Sequence, residues 1–166
     1  MISKTHLCTI SNQGVFMATR IIIMRHAKSI FLDGLHDDFE RPLDKQGQKD
    51  AIMIGNQLLS LGWKPDSIMV SPSMRTMETL NLMGEDFTKA KIFPNDELYL
   101  ADLYTLQDCV NKAPLEATTL LLGHNPGIEI MVSSLSGQYH SMEEAYAALF
   151  EKSTDGWILE NILTPL

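Results

Sequence analysis

Ile21-Ile22-Ile23-Met24-Arg25-His26-Ala27-Lys28-Ser29 decides how this chain is read: a short apolar run stops abruptly at an arginine and a histidine. Such a run, rich in β-branched side chains, reads as a strand buried on both faces, the kind that builds parallel sheets. In open α/β sheets, ligands are held beyond the carboxyl ends of these strands. An imidazole placed there has the chemistry of a nucleophile. The guanidinium beside it presents a planar fork of donors that matches phosphate oxygens better than an ammonium does. The pair therefore points to phosphate chemistry.

The rest of the chain sets bounds on that reading. With 166 residues, 45% of them hydrophobic, it has the size and composition of one ordinary domain with its own core. Thirteen basic side chains against twenty-one acidic ones give a formal charge of -8, which argues against nucleic acid or an anionic membrane surface as partner. Any anion must be held by a local cluster. No apolar run approaches the roughly 20 residues that span a bilayer. Cys8 and Cys109 show neither CxxC nor zinc-ligand spacing, so they read as idle thiols in a reducing compartment, and the cytoplasm is the expected location. The ten methionines are scattered as core filler rather than gathered into a binding stripe. Residues 1–19 lack a clear period and a signal-peptide pattern. They read as a poorly ordered N-terminal extension to a single domain at 20–166.

Along that domain, short apolar runs alternate with helical periodicity, the signature of parallel strands joined by crossover helices. After the strand at 20–24 comes a carboxylate-rich loop at 33–41. A helix is expected from Asp44 to Leu61, with Ala51, Ile52, Ile54, Leu58 and Leu59 inward and Gly62 as its stop. Ser67-Ile68-Met69-Val70 reads as the second strand, and Ser71-Pro72-Ser73 as the turn and cap of a helix with Arg75 in its first turn. A weaker strand at 91–93, a helix at 103–112, a strong strand at 118–122 and a helix at 128–135 follow. Residues 145–150 read as a final strand, and the tail to Leu166 gives no clear pattern. The fold class is α/β: a three-layer α/β/α arrangement around a mostly parallel central sheet.

Three of these segments share one design, an apolar strand followed by a tight polar junction. The junctions are Arg25-His26, Ser71-Pro72-Ser73-Met74-Arg75 and Gly123-His124-Asn125-Pro126. If their strands are parallel neighbours, two arginines and two histidines face a common pocket. Phosphoryl transfer requires a nucleophile in line with the leaving group, and donors aimed at the equatorial oxygens that gather charge. His26 is the expected nucleophile, attacking through one ring nitrogen while a hydrogen bond fixes the other as N–H. Arg25 and Arg75 are expected to clamp the phosphoryl oxygens. His124 is expected to donate as well, protonated beside the dianion.

The segments RHAKS, SPSMRTMET and GHNPG, in that order, resemble the histidine phosphatase superfamily, also known from phosphoglycerate mutases. The likeness takes in Arg41-Pro42-Leu43 and Gly47, covers roughly residues 20–150, and is greatest to the short SixA-type phosphohistidine phosphatases. It implies a phosphoglycerate mutase-like fold, a covalent phosphohistidine intermediate, and a reaction without metal or other cofactor. It also implies that Arg41 reaches the phosphate, although the residue reads equally well as a loop arginine paired with Asp38 or Glu40. Larger relatives protonate the leaving oxygen with a carboxylic acid. Asp96 and Glu97 occupy roughly the appropriate stretch, with Asp33, Asp37 and Asp38 as further candidates, and no segment announces the residue.

An alkoxide departs poorly without a proton, whereas an imidazole departs readily. The expected substrate is therefore phosphohistidine on a partner protein. A small-metabolite phosphomonoesterase and a non-catalytic phosphate-dependent binding module are the alternatives. The protein itself is expected to be a monomer, with loop 31–40 selecting partners by charge. Lys28 reads as a solvated charge, Ser29, Thr76 and Asn125 as residues that orient loops or cap helices, and His6, His36 and His140 as surface residues.

Overall fold

The computed structural model describes residues 18–31 and 37–165. Among them, six strands form one sheet in the order β3-β2-β4-β1-β5-β6. β1 (Arg20–Arg25) and β4 (Thr118–Gly123) are its centre. β1 buries all four of its interior residues and β4 buries every one, as expected of strands covered on both faces. β2 (Ser67–Val70) and β3 (Lys91–Pro94) continue the parallel part, with β2 beside β4. The three strands whose junctions carry the arginines and histidines are thus parallel neighbours, β2-β4-β1.

Helices cover both faces. On one, α1 (Lys45–Ser60), α2 (Met74–Leu82) and the short α3 (Glu85–Thr88) place Ala51, Ile54, Leu58, Leu80 and Phe87 against Ile22, Ile68 and Leu120. On the other, α4 (Leu103–Asn111) and α5 (Gly127–Ser136) place Leu106, Val110, Ile128 and Met131 against Ile21, Ile23 and Leu121. Consecutive residues of β1 therefore feed opposite cores, as side chains of period two must. The result is the expected three-layer architecture.

Local chemistry accounts for the ends of α1. The Asp44 side chain accepts from the Gly47 N–H, and the helix gives way to Gly62 at φ +73°, a conformation that strains any residue with a Cβ. Gly47 meets a separate demand: a Cβ there would sit 2.1 Å from the Lys28 carbonyl oxygen, so only glycine lets α1 lie against the loop that follows β1.

Several expectations are corrected. Ile52 is 47% exposed, on the solvent side of α1. Ser73 precedes α2, but its hydroxyl meets Thr76 Oγ1 at 2.8 Å and makes no cap bond to a backbone N–H. The final strand begins at Ala147 rather than residue 145, and β5 (Ala147–Ser153) runs antiparallel to β1. The tail is not structureless: β6 (Gly156–Leu163) turns back and pairs antiparallel with β5 along the sheet edge. Of the expected extension, residues 1–17 lie outside the described residues, and so do Cys8, Asp33, His6 and His36. Thr19 is tied to the sheet: its carbonyl accepts from the Lys152 N–H and its hydroxyl from the Glu116 N–H. No helix among the described residues is long and apolar enough to cross a membrane.

Candidate active site

The carboxyl ends of β1, β2 and β4 open into one pocket, a cavity of about 430 Å³ lined by Arg25, His26, Arg41, Arg75 and His124. Its walls also carry Asp38 and Glu144, and its rim carries Phe31 and Leu100.

His26 is only 6% exposed. Its main chain is locked from three sides: the N–H donates to Gly123 O and the carbonyl accepts from Ala145 N, while the next N–H, that of Ala27, donates to Thr79 Oγ1 at 3.0 Å. Two contacts fix the tautomer of the ring. Nδ1 lies 2.7 Å from the Ala27 carbonyl oxygen, which can only accept, so Nδ1 carries the proton. Arg75 Nε lies 3.3 Å from Nε2 and can only donate, so Nε2 carries the lone pair. Burial is the main cause that pushes the His26 pKa down to about 4; the bond to Ala27 opposes it, and the charges of Arg75, Arg25 and Arg41 add to it. At neutral pH the ring is a neutral base with a defined lone pair.

Arg75 is 2% exposed, in the first turn of α2. Glu78, the neighbour on its own helix, does not pair with it; that carboxylate accepts from Leu43 N at 2.6 Å and holds the Arg41-Pro42-Leu43 segment. Arg75 instead donates through Nη1 to Asp38 O at 2.6 Å and through Nη2 to Asp38 Oδ2 at 3.1 Å. Arg25 donates from Nη1 to Met142 O at 3.0 Å and from Nη2 to Glu144 Oε1 at 3.3 Å. Arg41 combines both of its readings: it lines the pocket, donates to Ser29 Oγ at 2.7 Å, and keeps Nε 3.4 Å from Asp38 Oδ1 without hydrogen-bond alignment.

His124 is 3% exposed, with Nε2 2.8 Å from Ser71 Oγ and its ring centroid 5.2 Å from that of His26. Burial first, then the neighbouring His26 and Arg75, push its pKa down to about 3, so the protein's own groups hold this ring neutral rather than protonated.

Among the described residues, three buried side-chain polar atoms make no hydrogen bond: Arg25 Nε, Arg41 Nε and His124 Nδ1. All three belong to this pocket. Burying a polar group without a partner costs about 1–3 kcal/mol, so such a concentration at one site marks groups reserved for a ligand, and two of the three are cationic donors. The arrangement suits a small oxyanion.

The carboxylates expected as proton donors are elsewhere. Asp96 and Glu97 sit exposed in a 310 turn, outside the pocket lining. Asp38, a lower-ranked candidate, is in the pocket, and Glu144 joins it without having been foreseen. Its signal was weak, a glutamate in a loop before a strand. Thr79 and Tyr99 were likewise missed; Tyr99 donates to Asp38 Oδ2 at 2.5 Å and sets its ring edge-on to His124. Lys28 pairs with Asp44 outside the pocket, and His140 is half-buried away from it. Asn125 lines the pocket while its Oδ1 accepts from Glu129 N in the first turn of α5, and Thr76 Oγ1 donates to Ser71 O. No group of three His, Cys, Asp or Glu side chains that could hold a metal ion occurs among the described residues.

No family model matches the chain. An uncharacterized chloroplastic protein of Arabidopsis thaliana is 33% identical over 172 aligned positions, which take in 90% of this chain and 79% of the plant protein. The two belong to one family. Among solved structures, the SixA-type protein of Agrobacterium tumefaciens superposes with a TM-score of 0.81 at 24% identity, covering 89% of this chain and 98% of that one. The chain therefore has the fold of this SixA-type protein. The protein histidine phosphatase SixA complexed with tungstate shares that fold, with a TM-score of 0.72, 22% identity, and coverage of 88% of this chain and 97% of that one.

Proposed function

We propose that this protein is a phosphatase of the histidine phosphatase superfamily that works through a covalent phosphohistidine on His26, without a metal ion, and that its substrate is a phosphohistidine borne by another protein. The observation that carries the reading is the meeting of a neutral, tautomer-fixed imidazole with the three unpartnered nitrogens of Arg25, Arg41 and His124 in one pocket.

In the first step the Nε2 lone pair of His26 attacks phosphorus, the P–Nε2 bond forms, and the bond from phosphorus to the leaving atom breaks with its electron pair going to that atom. Arg25, Arg41 and Arg75 stabilise the charge that spreads over the equatorial oxygens, and His124 donates as a neutral N–H. In the second step a water oxygen attacks phosphorus and passes one proton to a phosphoryl oxygen, the P–Nε2 bond breaks with its electron pair returning to Nε2, and inorganic phosphate leaves.

The choice of substrate rests on two observations. Of the two pocket carboxylates, Glu144 is paired with Arg25, and Asp38 has its pKa lowered, chiefly by the bond from Tyr99, so it is ionised at neutral pH and has no proton to give an alkoxide. Phosphohistidine needs none, because its imidazole can leave already carrying a proton on the other nitrogen. The rim supports a substrate attached to protein: Phe31 is 87% exposed and Leu100 53%, apolar surface suited to the residues flanking a modified side chain. A monomeric state and a cytoplasmic setting complete the reading.

Hydrolysis of a phosphohistidine peptide and of a serine phosphate peptide, compared under saturating conditions, tests the substrate. The expected result is faster turnover of phosphohistidine. Faster turnover of the ester favours a metabolite or ester phosphatase, and tight phosphate binding with no release from either favours a binding module.

A further inference from the structure

Arg75 has to present one particular edge to the phosphoryl site, yet a guanidinium on a long side chain turns freely unless its other edge is held. The hold comes from Asp38. This residue opens a 310 turn, Asp38–Glu40, which the Asp37 side chain caps by accepting from Phe39 N at 3.1 Å. From there Asp38 offers Arg75 two acceptors, its carbonyl oxygen to Nη1 at 2.6 Å and Oδ2 to Nη2 at 3.1 Å, while Oδ1 forms an ion pair with Arg41 Nε at 3.4 Å without hydrogen-bond alignment. With both terminal nitrogens of Arg75 engaged, only Nε faces His26.

A second layer fixes Asp38 in turn. The Tyr99 hydroxyl donates to the same Oδ2 at 2.5 Å. The Tyr99 ring is wedged into the site by Phe39, 5.0 Å away and edge-on, and by His124 at 5.4 Å, while the Arg75 guanidinium lies 5.7 Å from its centroid. One tyrosine thus touches a carboxylate, an arginine and a histidine of the pocket at once.

Resting on the phosphatase reading given above, we infer that Asp38, clasped by Tyr99, is a positioning residue that aims Arg75 and Arg41 at the phosphoryl group, and that it is not the proton donor to the leaving group. Its chemistry fits that division. A carboxylate that accepts from a tyrosine and sits between two guanidinium groups is favoured in its ionised form. An ionised carboxylate orients cations well and has no proton to donate.

The two roles separate on leaving-group dependence. A proton donor matters greatly for an alkyl phosphate and little for p-nitrophenyl phosphate, whose phenolate leaves unaided, whereas a residue that aims Arg75 matters equally for both. Asp38→Asn keeps the shape and the carbonyl bond to Nη1 while removing the charge. We expect its kcat to fall about 10–100-fold on both substrates alike, with circular dichroism unchanged. Tyr99→Phe should give a smaller fall of the same uniform kind. A loss confined to the alkyl ester would make Asp38 the acid and overturn the inference, as would an unchanged kcat in both variants.

A readout independent of turnover accompanies this. The Arg75 Nε–H resonance, assigned by its disappearance in Arg75→Lys, should be sharp and slow to exchange in the wild type and broadened in Asp38→Asn and Tyr99→Phe. If the wild type hydrolyses nothing while this pattern holds, the phosphatase reading fails and the clasp stands. An unaltered resonance in both variants removes the clasp.

Discussion

A histidine able to attack phosphorus has to be buried enough to lose its proton and yet present a lone pair to the pocket. His26 meets both conditions because Ala27 O takes the Nδ1 proton and leaves Nε2 free of one. Arg25, Arg75 and His124 then differ from it in kind, as donors without which the same attack is slower. Replacing any of the three with Ala should lower the turnover of phosphohistidine peptide by about 10²–10³-fold with the fold retained, judged by phosphate release beside circular dichroism. Arg25 and Arg75 were identifiable from sequence because each follows a strand. The hydrogen bonds that hold them were not: Glu144 is 119 residues from Arg25, and Tyr99 meets Asp38 across 61 positions. Nothing local announces such pairs. The same blindness put Asp96 and Glu97 forward as acids, although a turn of one residue more or less decides whether a carboxylate faces a pocket or solvent.

The segments between strands turn out to brace one another. Thr79 of α2 binds the backbone beside His26, Glu78 of α2 binds Leu43, and Gly47 of α1 packs on Lys28. The motifs carry these braces as well as the reacting groups, which is why SPSMRTMET and the Arg41-to-Gly47 stretch read so distinctly. Gly47→Ala tests the point. A methyl 2.1 Å from the Lys28 carbonyl has to move backbone rather than a flexible side chain, so the loop after β1 shifts. The variant should lower the denaturation midpoint measurably and lose activity together with it; full activity at wild-type stability would mean that the loop has slack. Strand β6 shows the opposite case. It lies at the sheet edge, where Trp157, Ile158 and Leu159 follow one another and only Leu163 is buried, so its apolar residues show no period of two.

The fold as a whole carries a cost of holding its site. Both imidazoles have folded pKa values below the 6.5 of a free one, about 4 for His26 and about 3 for His124. Below pH 6.5 the unfolded chain therefore takes up protons that the folded chain refuses, and stability falls as pH falls. The loss accumulates until the folded pKa values are reached, and each imidazole adds nothing further below its own. At pH 4.5 it should amount to roughly 2–3 kcal/mol for His26 relative to pH 7. Urea unfolding at the two pH values checks this: His26→Asn and His124→Asn should each flatten the dependence, and an identical slope in both variants would contradict it. The α/β layering itself was legible throughout, because buried parallel strands must be almost wholly apolar and β1 and β4 are.

The account stands on His26 becoming covalently phosphorylated. Rapid quenching of the protein during turnover of a ³²P-labelled phosphohistidine peptide should trap label on the chain that is stable in alkali and lost in acid, located at residue 26 and missing from His26→Ala. Phosphate release at the wild-type rate by His26→Ala, or label on any other side chain, would contradict it.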